Sequence, residues 1–216
     1  MKKKAIIFDM DGVLVDSEPV YLDFFRKFLQ RNNRTADEKL LLRTVGSSNR
    51  ETWRLMAQMW GEACDPVWLE SFYRSSCTDL VLPYQKVAFP GMKDTLRRLW
   101  EEGYTLLIAS AAFQHSIQRM MEETEITPYI AGAISGETVR ESKPSPDVYI
   151  QAITLSDCPA EECLAVEDSI YGIQAARRAG LEVATVHSSL FPEIQAMGDY
   201  PIGTVLGLLP LLGLSS

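Results

Sequence analysis

Five short apolar runs restrict what this chain can become. They are residues 4–8 (Lys-Ala-Ile-Ile-Phe), 104–109 (Tyr-Thr-Leu-Leu-Ile-Ala), 163–166 (Cys-Leu-Ala-Val), 182–186 (Glu-Val-Ala-Thr-Val) and, more weakly, 131–134 (Ala-Gly-Ala-Ile). A strand wetted on one face alternates polar with apolar; runs without that alternation fit strands covered on both faces. Helical patterns lie between them at 92–102, 113–124, 146–155 and 169–179, with Gly103 and Gly180 closing the first and the last. The alternation predicts an α/β fold: a Rossmann-like parallel sheet with helices on both faces.

Residues 17–82 interrupt the alternation with helix after helix. Ser48-Asn49-Arg50-Glu51 has the pattern of a capping box, and Gly61 would close the helix it starts. Asp65-Pro66 pairs an acidic N-cap with proline at the first helical position. The expected organisation is a core of residues 1–16 and 83–216 with an inserted α-helical cap over 17–82. The connections would lie near 12–17 and 83–91, the second carrying Pro83, Pro90 and Gly91. Two short connections imply a cap that opens for substrate and closes to exclude water.

At 216 residues and 46% hydrophobic, the chain can bury a core without disulfide staples. The net charge of -8 argues against a nucleic-acid partner, which would require a basic stripe. Residues 17–82 hold nine basic and nine acidic residues, so the whole excess lies in the α/β part, with 12 basic and 20 acidic. No run approaches the roughly 18 apolar residues of a membrane span. Met1-Lys2-Lys3-Lys4 has the charge of a signal peptide, but Asp9 ends the apolar run that follows. Val205 to Leu214 reads as a last core-packing segment. Cys64, Cys77, Cys158 and Cys163 form no C-x-x-C, which argues against zinc and for free thiols in a cytoplasmic protein.

Acidic pairs stand just beyond two of the apolar runs. In Asp9-Met10-Asp11-Gly12 the acids either build an Asx-type turn with Gly12 or do chemistry. In Glu167-Asp168 the second acid either caps the following helix, as Ser169 also could, or works. Like charges repel, and an oxygen-bound Mg2+ would resolve the conflict. Lys143, between Ser142 and Pro144 in a loop stiffened by two prolines, is a solvated lysine or a fixed charge aimed at the acids. Ser110 follows a strand, and with the Ala111 N–H it could bind an oxyanion. All four lie at carboxyl ends of predicted strands or in the loops beyond them, where ligands bind in open parallel sheets.

Together these residues resemble the four motifs of the haloacid dehalogenase superfamily. The wording of Phe8-Asp9-Met10-Asp11-Gly12-Val13, Ser142-Lys143-Pro144 and Val166-Glu167-Asp168-Ser169 is similar to its β-phosphoglucomutase-like subgroup, which carries a helical cap. The resemblance implies Asp9 as nucleophile, forming an aspartyl-phosphate, and Asp11 as general acid and base. It implies Mg2+ held by Asp9, the Asp11 carbonyl and Asp168, with Glu167 assisting, and phosphoryl oxygens held by Lys143 and Ser110. Dehalogenases of this superfamily attack carbon and need no proton donor at position 11, so Asp11 favours phosphoryl transfer.

The subgroup's mutases carry a histidine where this chain has Tyr21, a lysine where it has Val45, and a basic residue where it has Phe113. The groups expected to grip a second phosphate are thus missing. The expected activity is a phosphatase acting on a small phosphorylated metabolite, with a β-phosphoglucomutase-type mutase as the alternative and a non-catalytic binding protein behind both. The cap loop Gly46 to Glu51 is the expected specificity element: Arg50 contacts the substrate's far end or is simply solvated, and Glu51 fixes the loop. His115 and His187 receive no role. The expected protein is a monomer with no nucleic-acid or membrane partner.

Overall fold

The structure is a computed structural model that describes residues 3–61, 63–188 and 190–215; Met1 and Lys2 of the basic start lie outside these. The chain forms two compact units, Met1–Asp16 with Tyr84–Ser216, and Ser17–Pro83. In chain order the elements are β1 (Ala5–Phe8), α1 (Glu18–Arg31), α2 (Glu38–Leu42), α3 (Asn49–Trp60), α4 (Pro66–Ser76), α5 (Tyr84–Val87), α6 (Met92–Glu101), β2 (Thr105–Ser110), α7 (Gln114–Glu123), β3 (Ile130–Ser135), α8 (Asp147–Ser156), β4 (Cys163–Glu167), α9 (Ile170–Arg178), β5 (Glu182–Thr185), β6 (Tyr200–Pro201) and α10 (Leu208–Leu211).

The six strands form one sheet in the order β3-β2-β1-β4-β5-β6, with every pairing parallel. Side chains of both parities are buried, as the unbroken apolar runs require: Ala5 and Ile7 on one face, Ile6 and Phe8 on the other. The first face packs on Val148, Tyr149 and Ala152 of α8 and Ile173, Ala175 and Ala176 of α9. The two-residue β6 was not foreseen, because a pair containing proline carries no periodicity. Val205, Leu208 and Leu209 are buried, so the C-terminal segment contributes to the core. Residues 83–91 form more than a connection: α5 falls within them, and Ala88 bridges to Val15.

The helix ends follow local chemistry. Gly103 and Gly180 both take positive φ just beyond α6 and α9. There the amides of Tyr104 and Leu181 reach back to Leu99 and Ala176. Helix α8 begins one residue later than expected, with Pro146 as its N-cap rather than its first residue.

Within the helical unit, Asp65 caps α4 by accepting from the Val67 N–H. Ser48 caps α3 by accepting from the Glu51 N–H. The reciprocal half of the expected capping box is replaced, because the Glu51 carboxylate pairs with Arg54 instead. An aromatic cluster fills this unit: Phe28, 0% exposed, lies 5.2 Å from Trp60, 5.1 Å from Tyr73 and 5.8 Å from Phe72 by ring centroids. Phe28→Ala should therefore destabilise the helical unit by about 3–5 kcal/mol. Urea unfolding followed by tryptophan fluorescence measures this, since Trp53, Trp60 and Trp68 all lie there.

Candidate active site

Sheet register brings the first and fourth motifs together. Phe8 pairs with Ile108 on one side and Val166 on the other, so Asp9 comes level with Glu167. The Asp9 N–H extends the ladder to the Val166 carbonyl at 2.9 Å. Beyond it the chain turns sharply: the N–H groups of Val13, Leu14 and Val15 converge on the Met10 carbonyl, and Gly12 adopts φ +79°. Gly12 therefore supplies the unusual backbone angle that the turn reading expected. Glycine is required there for a second reason, since a Cβ would meet Asp168 Oδ2 at 1.8 Å. The Asp168 carboxylate occupies the space that a side chain at position 12 would take.

The capping ambiguity at the fourth motif resolves in favour of Ser169. Its hydroxyl accepts from the Gly172 N–H at 3.1 Å and caps α9, so Asp168 is not the cap. Glu167 is completely buried and receives four donors. Lys143 Nζ and the Tyr149 hydroxyl both reach Oε1 at 2.6 Å. The Asp168 N–H and the Ser169 hydroxyl reach Oε2, each at 3.2 Å. Oxygens of Asp9, Glu167 and Asp168 lie within 4.8 Å of one another, all three residues buried.

Lys143 is not solvated. It is 4% exposed in its side chain, and Nζ stands 2.9 Å from Asp9 Oδ1 as well as 2.6 Å from Glu167. The loop that delivers it is clasped by Asp147, which accepts from the Glu141 N–H at 3.2 Å and the Ser145 hydroxyl at 2.9 Å. Arg178 secures the far side through the Pro144 carbonyl at 2.7 Å.

Electrostatics divides these groups unequally. Burial lowers the Lys143 pKa, but Asp9 and Glu167 outweigh it and hold the ammonium above its ordinary range. Asp9 fares worse. Burial raises its carboxyl to about 7, with Glu167 and Asp11 adding to the rise and Lys143 opposing it. Tyr149 is pushed well above the usual phenol range by burial and then by Glu167, so it remains a donor. The donor set suits a hard divalent cation: carboxylate oxygens, close together, buried and excessively negative.

At the end of β2, the buried Ser110 hydroxyl accepts from the Ala112 N–H at 3.1 Å. The Gln114 N–H at the start of α7 is taken by Glu137 at 3.1 Å. Ala111 lies between them, half-buried. Gly136 passes so close that a Cβ there would meet Ala111 Cα at 3.1 Å.

The expected cap residues lie in the other unit. Gly46 has φ +66°, and its N–H donates to Glu18 Oε1 at 3.0 Å. Arg50 is exposed on the first turn of α3. The Glu51 carboxylate is bound to Arg54, and its N–H donates to Ser48 at 3.3 Å.

Sequence reading missed two residues of the site. Tyr149 carries a faint signal, an aromatic hydroxyl on the apolar face of α8, where Ser156 is buried as well. Gly172 stands in the first turn of α9, where no turn calls for it; a Cβ there would meet the Glu167 carboxylate at 1.9–2.1 Å. A glycine placed where a helix does not need one signals close approach.

The chain is similar to known proteins along most of its length. The family model described as haloacid dehalogenase-like hydrolase matches residues 6–186. The phosphorylated carbohydrates phosphatase of Thermotoga maritima is 27% identical over 189 residues, covering 86% of each chain. The mitochondrial (DL)-glycerol-3-phosphatase 1 of Arabidopsis thaliana is 31% identical over 192 residues, 85% of this chain and 64% of the relative. CbbY from Rhodobacter sphaeroides, solved in complex with phosphate, superposes with a TM-score of 0.81 at 21% identity, over 95% of this chain and 96% of its own.

Two outcomes test the site's electrostatics and packing without substrate. An acid whose folded pKa is raised favours folding below its unfolded pKa, near 4, and loses that contribution as pH rises through about 7. In metal-free protein, Asp9→Asn should therefore raise Tm at pH 8, by about 2–4 °C per kcal/mol gained. At pH 4 the two proteins should melt together. Gly172→Ala would favour a helix by up to about 1 kcal/mol on propensity alone. Here it should instead lower Tm, because the methyl displaces the Glu167 carboxylate, and differential scanning fluorimetry decides the sign.

Proposed function

The chain belongs to the haloacid dehalogenase-like hydrolase family, and we propose that it is a Mg2+-dependent phosphatase of a small phosphomonoester, a sugar phosphate, acting through an aspartyl-phosphate on Asp9. The observation that carries this reading is the buried Lys143 ammonium between Asp9 and Glu167, with Asp168 alongside, at the carboxyl ends of β1 and β4. The choice of a sugar phosphate is supported by the name of the Thermotoga maritima relative.

Asp9 and Asp168, with the Asp11 carbonyl and the assistance of Glu167, would hold Mg2+. When bound, the ion offsets the repulsion between an anionic carboxylate and an anionic phosphate. Lys143, the Ser110 hydroxyl and the Ala111 N–H hold the phosphoryl oxygens in line with Asp9. The Asp9 carboxylate attacks phosphorus, and the bond from phosphorus to the leaving oxygen breaks. Asp11 gives its proton to that oxygen, releasing the alcohol. It then takes a proton from a water that attacks the aspartyl-phosphate, which frees phosphate and restores Asp9.

Substrate choice falls to the loop at Gly46 to Glu51. Arg50, exposed on the first turn of α3, is the proposed contact for the substrate's distal groups. The residues at positions 21, 45 and 113 are neutral, so a second phosphate meets no cation from them. This favours hydrolysis over mutase chemistry.

The protein should release inorganic phosphate from members of a sugar-phosphate panel with Mg2+ and lose that activity in EDTA. Asp9→Asn should lower kcat at least about a thousandfold. Formation of glucose 6-phosphate from β-glucose 1-phosphate and a bisphosphate primer, in place of phosphate release, would reassign the protein as a mutase. Wild-type turnover by Asp9→Asn would eliminate the aspartyl-phosphate.

A further inference from the structure

Glu167 is the most heavily engaged acid of the site, and one of its donors comes from outside the four motifs. Tyr149 lies on the face of α8 that packs with Val148, Ala152, Ile7 and Leu107 in the core. A phenylalanine would fill that position without bringing a hydroxyl into apolar surroundings, where a polar group needs a partner. The partner it has is charged. Its hydroxyl donates to Glu167 Oε1 at 2.6 Å, the same oxygen that receives Lys143 Nζ. The centre of its ring lies 5.1 Å from that Nζ. One side chain thus touches both members of the buried pair, by a charge-assisted hydrogen bond to the acid and a cation–π contact to the base.

On the phosphatase reading above, we propose that Tyr149 is a positioning residue: its hydroxyl fixes the Glu167 carboxylate, and through it the Lys143 ammonium, in register with Asp9. Two donors on one oxygen leave the carboxylate little freedom to rotate. Its second oxygen is fixed by the Asp168 N–H and the Ser169 hydroxyl, and Gly172 backs the group on a third side. Without the Tyr149 hydroxyl, Lys143 becomes the one side-chain restraint on Oε1 among the described residues. The pair can then shift together, away from the point at which the ammonium meets both Asp9 and a phosphoryl oxygen. The substrate would still bind through its other contacts, so the loss belongs to turnover rather than affinity.

The test is a double-mutant cycle of Tyr149→Phe and Glu167→Gln. It is measured as kcat and KM with Mg2+, and as Tm of the metal-free proteins. Tyr149→Phe should lower kcat about tenfold, the scale of losing an outer-shell partner. KM should stay within about threefold, and the metal-free Tm should fall. In the Glu167→Gln background the same change should move kcat less than about twofold and leave Tm nearly unchanged, because the charged acceptor is already gone. Wild-type kcat in Tyr149→Phe overturns the proposal. Equal fold-losses in both backgrounds also overturn it, since they mark a ring that only fills the core. If Glu167→Gln does not fold, Lys143→Met takes its place in the cycle: Tyr149→Phe should then move kcat less than about twofold, while its Tm loss should persist because the Glu167 acceptor is still present. If the wild-type protein releases phosphate from no substrate, the phosphatase reading fails. The metal-free Tm cycle then still decides whether Tyr149 acts on Glu167.

Discussion

A single buried ammonium, that of Lys143, holds the acids of this protein's site in a place from which water is largely excluded. Removing the ammonium would leave two buried carboxylates uncompensated, a loss of about 3–5 kcal/mol. The structure places Nζ between Asp9 and Glu167 and clasps the loop that carries it through Asp147 and Arg178. One positive charge cannot satisfy two carboxylates equally. Glu167 takes three further donors and is well satisfied, whereas Asp9 keeps a carboxyl raised to about 7. The poorly satisfied acid is the one at the end of the central strand, where a ligand would arrive.

Missing side chains shape this arrangement as much as present ones. Asp168 occupies the volume above Gly12, and Glu167 the volume above Gly172. In both places the absence of a Cβ lets a buried carboxylate approach backbone closely. At Gly12 the same residue also supplies the positive φ that turns the chain after β1. Ser169 makes the related division of labour at α9, capping the helix and so leaving Asp168 to the site.

The sequence made the architecture legible because burial on both faces imposes a pattern that few other states share. Unbroken apolar runs of four to six residues, with helical periodicity between them, located β1 to β5 and the helices that flank them, with ends shifted by a residue or so. The helical stretch after β1 was visible for the same reason. What stayed hidden was whatever lacks periodicity, such as β6 and the short α5. The reciprocal half of the capping box was also lost, because Arg54 lies one turn from Glu51 and outbids the backbone amide.

For the site, the sequence by itself determined which chemical groups stand at the carboxyl ends of the strands: Asp9, Asp11, Ser110, Lys143, Glu167 and Asp168. That information is local, since a strand end and the loop after it can be read from a few residues. Only the tertiary structure decided how the acids share one cation, that Ser169 rather than Asp168 caps α9, and that Tyr149 and Gly172 belong with Glu167. Those relations join residues of separate elements through close approaches of a few ångströms. Such distances are set by how β1, β4, α8 and α9 pack, and no single segment records them.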